Sequence, residues 1–115
     1  MNFTMPKQAN DEDFSRLWSE ADAFIRSIEP EFIILQCGAD SMKGDPITDL
    51  EYSQRSYQLA TESLCRIADE FCDGRMIALG GGGSAGAATC GVGDDWRGAG
   101  AAAVALDIRC GIGGQ

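Results

Sequence analysis

Three carboxylates stand close together in the stretch GADSMKGDPITDLEY, residues 38–52: Asp40, Asp45 and Asp49. Asp40 follows an apolar run almost at once, with Gly38 beside it. An aspartate so placed suits a cation ligand. The same residue type in a loop also binds backbone amides, and spacing leaves both readings open. Asp45-Pro46 reads as turn chemistry. A second feature is the glycine run Gly80–Gly83 in ALGGGGSAG, residues 78–86. Such a run permits close backbone approach and positive φ, as in the wall of a channel or an anion cradle. It lacks the Lys and Ser/Thr of a phosphate loop and has no GxGxxG pattern. The chain contains no histidine, so the commonest general base and metal ligand is missing. Hydrolytic chemistry must therefore use carboxylates or thiols, or borrow groups from elsewhere. The cysteines Cys37, Cys65, Cys72, Cys90 and Cys110 are odd in number and show no CxxC spacing. With no signal-peptide pattern, they predict reduced thiols and a cytoplasmic setting.

The elements that must position these groups follow from periodicity. In NDEDFSRLWSEADAFIRSIEP, residues Phe14, Leu17, Trp18, Ala21, Ile25 and Ile28 fall at helical spacing. Asn10 or Asp11 suits the N-cap, the acids at 11–13 suit the positive helix end, and Pro30 stops it. EFIILQC is a continuous apolar run, expected of a strand covered on both faces. SYQLATESLCRIADEFC repeats the helical period through Tyr57, Ala60, Leu64, Ile67, Ala68 and Phe71, with Ser53 as N-cap and Asp73-Gly74 as the stop. RMIALG is a second buried strand. Residues 32–80 thus predict a strand, a crossover helix and a parallel strand with right-handed connection. The N-terminal helix is expected on the same sheet, and NFTMP is at most a short third strand. Loops at the carboxyl ends of parallel strands carry function, which brings residues 38–52 and the glycine run to one edge.

At 115 residues the chain is long enough for one domain with a modest core. Its 18 acidic against 9 basic residues give a net charge of −9, which repels phosphate and argues against nucleic acid or an anionic membrane as partner. No apolar run approaches membrane-spanning length. Residues 84–115 differ in character: eight Gly and eight Ala make up half of them. Such a segment offers little apolar area against ordering entropy, so it is expected to be loose, or at best to form one short element around 99–108.

Taken together, LQCGADSMKGDPITDLEYS, a helix and then MIALGGGG resemble the zinc-dependent histone deacetylase family, with the bacterial acetoin-utilisation and acetylpolyamine amidohydrolase members most similar. The resemblance begins at NFTMPKQANDEDF and runs through Gly83. It implies an α/β fold: part of the three-layer α/β/α sandwich of the arginase/deacetylase type. It also implies zinc as cofactor, with Asp40 as one of three metal ligands, and Gly81, Gly82 and Gly83 as the wall of the substrate channel. The family's other two ligands, its paired histidines and the tyrosine after the glycine loop have no counterpart here, and Ser84 stands in the tyrosine's place. The family reaction is hydrolysis of acetyl-amides, on acetyl-lysine proteins or acetylated small molecules such as polyamines. The zinc polarises the carbonyl and a water, histidine takes the proton and tyrosine holds the oxyanion.

These departures predict a partial deacetylase domain over residues 1–83 that begins within the family's domain and is inactive alone. Residues 84–115 are expected to be a tail, either a frameshifted extension or a divergent one; codons for Gly91-Val92-Gly93 read one nucleotide later can encode Ala-Trp, a pair the family carries there. The alternative readings are a small acidic interaction module and one half of a split deacetylase. Missing strands would leave a sheet edge uncovered, predicting self-association or docking of a complementing chain.

Overall fold

The computed structural model describes residues 1–80 and 104–106. In chain order the elements are α1 (Asp11–Ser27), β1 (Ile33–Cys37), α2 (Gln54–Phe71), β2 (Met76–Gly80) and β3 (Val104–Leu106). Asn10 caps α1: its side chain accepts hydrogen bonds from the amides of Glu12 and Asp13, while Asp13 accepts from the Asn10 amide. This reciprocal box satisfies donors that a helix start leaves orphaned, and it frees Asp11 for another role. Phe14, Trp18, Ala21 and Ile25 are buried, whereas Ile28 is the C-cap and lies 44% exposed. Ser53 caps α2 by accepting from the Arg55 amide at 3.2 Å. That helix ends where Asp73 and Gly74 turn left-handed, at φ 51° and 74°.

The strands form a parallel sheet in the order β2-β1-β3. The β1–α2–β2 crossover is as the periodicity predicts. The third strand is Val104–Leu106, inside the segment where one short element was expected, and residues 2–6 form no strand. Pro6 has no amide to give a ladder. Met5 and Phe3 instead pack their side chains on the core without pairing.

Side chains alternate across the sheet. Ile33, Leu35 and Met76 are buried in one core with Leu64, Ile67 and Ala68 of α2, and α1 packs along α2. On the opposite face Ile34 is half-buried, Gln36 exposed, and Ile77 and Leu79 are 42% and 52% exposed. The expectation of strands covered on both faces is therefore corrected: among the described residues both helices serve one face and no element lies over the other.

Polar ties fix one helix on the other. Asp11 accepts from the Ser53 amide at 2.8 Å, from the Ser53 hydroxyl and from the Ser56 hydroxyl at 2.6 Å. Farther along, Asp22 accepts from the Ser63 hydroxyl and from Arg26 Nε at 2.8 Å, and Arg26 also reaches Glu70.

Candidate functional site

The register Cys37↔Gly80 brings the carboxyl ends of β1 and β2 side by side. The loop that follows Cys37 therefore leaves the sheet beside Gly80, as the parallel topology requires. Gly81, Gly82, Gly83 and Ser84 lie outside the described residues.

The loop 38–52 is folded by its own hydrogen bonds. Met42 N donates to the Ala39 carbonyl and Asp45 N to the Met42 carbonyl, each at 3.1 Å. Lys43 N donates to the Tyr52 carbonyl at 2.9 Å and Tyr52 N to the Ser41 carbonyl at 3.3 Å, tying the loop's ends together. Asp45 is buried and its Oδ1 accepts from Ile47 N at 2.8 Å, the turn chemistry read from Asp45-Pro46. Gly44 takes φ +93°, a conformation that the turn needs and that other residues adopt only with strain.

Asp40 is half-buried in this loop. Two hydroxyls brace the backbone that presents it. Thr48 Oγ1 donates to the Asp40 carbonyl, and Tyr57 Oη donates to the Gly38 carbonyl at 3.2 Å. Periodicity assigned Tyr57 to the core; it is half-buried, and its hydroxyl reaches the strand-end loop. The signal for this is positional. A crossover helix runs back antiparallel to its strands, so its first turn lies beside the carboxyl end of β1. Tyr52 is buried instead, with its ring edge-on to Phe14 at 5.1 Å.

Cys65 and Cys72 are not primed for nucleophilic work. Burial pushes the Cys65 thiol up, and the Asp69 charge adds to the effect. Burial likewise raises Cys72, whose Sγ donates to the Pro30 carbonyl at 3.0 Å. A raised pKa keeps a thiol protonated and weakly nucleophilic.

Among the described residues, no three His, Cys, Asp or Glu side chains converge on a point. Asp40 stands as a single candidate ligand, while a catalytic zinc takes three protein ligands and keeps one position open. The described residues therefore do not form a zinc site by themselves. Among those residues, too, no helix is long and apolar enough to cross a membrane.

Comparison with known proteins matches the "Histone deacetylase domain" family model to residues 1–90. A "Probable deacetylase" of Archaeoglobus fulgidus is 30% identical over 80 residues, covering 69% of this chain and 22% of that protein. The "Acetoin utilization protein AcuC" of Bacillus subtilis is 35% identical over 85 residues, 71% of this chain and 22% of its own length. The "Type-2 histone deacetylase 1" of Dictyostelium discoideum is 28% identical over 79 residues, 69% of this chain and 5% of that protein. The chain thus spans about a fifth or less of the relatives it matches. The family match takes in α1, the β1–α2–β2 unit and the loop that carries Asp40, which places this chain in the histone deacetylase family.

Proposed function

We propose that the chain supplies one portion of a deacetylase-type site, with Asp40 as a metal ligand and Gly81, Gly82 and Gly83 as channel wall, and that it does not hydrolyse acetyl-amides alone. The observation that carries this reading is the placement of Asp40: one braced carboxylate at the end of β1, beside the end of β2, in a chain of this family. Against activity stand the absence of histidine from the whole chain and the single candidate ligand among the described residues. Loss of an oxyanion donor alone costs on the order of 100- to 1,000-fold in rate. The substrate class of the site is an acetylated amide, either acetyl-lysine in a protein or an acetylated small molecule. Residues 1–83 form the part that follows the family pattern, as a portion of the α/β/α sandwich. The family model itself runs to residue 90; the Gly/Ala-rich residues 84–115 are a tail, either a frameshifted extension or a divergent one. The purified chain, given zinc and an acetyl-lysine peptide or an acetylpolyamine, is expected to release no acetate. Chelator-sensitive turnover would overturn the proposal. For the tail, a coding sequence with no alternative frame that restores a tyrosine after the glycines refutes the frameshift.

A second reading is favoured by the bare apolar face at Ile77 and Leu79. Parallel sheets are ordinarily covered on both faces. A polypeptide that covers this face and brings the missing histidines would make the chain one half of a split deacetylase; without the histidines it would be an interaction module. Co-purification of such a polypeptide, with activity appearing only in the complex, separates the two. A cooperative, strictly monomeric melt with no partner bound counts against both.

A further inference from the structure

We propose that Val104–Leu106 acts as an intrachain cap on the free edge of β1, competing with any strand from another polypeptide that would extend the sheet there. In a parallel ladder a residue's N–H and C=O face the same neighbour, and successive residues alternate sides. Ile33 N donates to the Arg75 carbonyl at 3.2 Å, so Ile33 faces the β2 side. Ile34 and Gln36 then present their amides and carbonyls to the opposite edge. Such an edge is a template for strand addition. The register Ile34↔Ala105 sets the backbone groups of Val104 and Leu106 against Ile34.

Among the described residues, β3 pairs with Ile33, Ile34 and Leu35 of β1. The cap's advantage is that it belongs to the same chain, so that its pairing is intramolecular while a competitor's is not. Only a strand that binds more tightly than this pairing would displace it. The proposal rests on the complementation reading for its biological use, but its physical content does not depend on Asp40, zinc or activity.

Amide exchange in the full chain with Leu106→Pro tests it. Proline removes a donor that faces Ile34. The expected result is exchange at least about tenfold faster at Ile34 and Gln36, with Ile33 and Leu35 changed less than about threefold. The β2-facing amides thus serve as the internal control for global destabilisation. Ala105→Gly, a milder weakening of the strand, is expected to shift the same ratio in the same direction by a smaller factor. A peptide of residues 101–109, AAAVALDIR, added in trans at millimolar concentration, is expected to restore protection at Ile34. Equal acceleration at all four amides, no acceleration at Ile34 and Gln36, or no restoration by the peptide would overturn the proposal. Failure of the deacetylase reading would leave this exchange pattern in place.

Discussion

Asp11→Ala is expected to cost about 2–5.5 kcal/mol of stability. The carboxylate at the first position of α1 accepts three hydrogen bonds from the start of α2, two from Ser53 and one from Ser56. The Ser56 side chain is only 2% exposed, so its hydroxyl would lose its partner where water does not easily replace it, at about 1–3 kcal/mol. The Ser53 groups are exposed, and water replaces the carboxylate there for about 0.5–1.5 kcal/mol. A lost negative charge in the first helical turn adds about 0.3–1 kcal/mol. Urea unfolding followed by circular dichroism measures the difference. Glu12→Ala is the control, because Glu12 is exposed in the same turn and shares only the charge effect. If the two variants lose stability equally, the clamp contributes nothing and the reasoning fails. The pH dependence adds a second check. Burial pushes the Asp11 carboxyl up, but hydrogen bonds from Ser53 and Ser56, with the Arg55 charge, outweigh it and leave it below its ordinary value of 3.8. A group depressed in the folded state contributes fully above its unfolded value, and the contribution is lost as pH falls through the folded one. The stability gap between wild type and Asp11→Ala is therefore flat from neutral pH down to about 4 and narrows only below that.

Tyr57→Phe removes the bond to the Gly38 carbonyl and is expected to cost about 0.5–1.5 kcal/mol, with faster amide exchange at Met42 and Asp45 than in either helix; unchanged loop exchange would show that the hydroxyl does not brace the loop. Leu64→Ala empties a side chain that is 1% exposed in the core and is expected to cost about 2–5 kcal/mol by urea unfolding. Zinc at 100-fold over the dissociation constant of a true site would add about 2.7 kcal/mol of stability; the chain alone is expected to show no such gain, and a zinc-dependent rise in its melting temperature would refute the count of one ligand. Ile77→Lys with Leu79→Lys is expected to leave the melting temperature nearly unchanged, because both side chains already meet solvent, and to lower any concentration-dependent association seen by light scattering.

The sequence by itself determined the β1–α2–β2 unit and the family. The 3.6-residue period through Leu64 and Ile67, the Ser53 cap and the continuous run in EFIILQC each specify a local structure without help from distant residues. The motif around Asp40 was legible for the same reason, since a loop at a strand's carboxyl end is set by local order along the chain. Tertiary structure decided the rest. Local signals allowed either Asn10 or Asp11 to cap α1; only the arrival of α2 gave Asp11 its serine partners. The apolar stripe placed Tyr57 in the core, yet its hydroxyl finds the Gly38 carbonyl because α2 runs back beside β1. An apolar strand predicts burial but cannot say whether a covering layer is present, so the exposure of Ile77 and Leu79 emerged only from the packed fold. Strand order follows the same rule. Pairing of Val104–Leu106 with β1 joins residues far apart in sequence, where no local pattern specifies the partner.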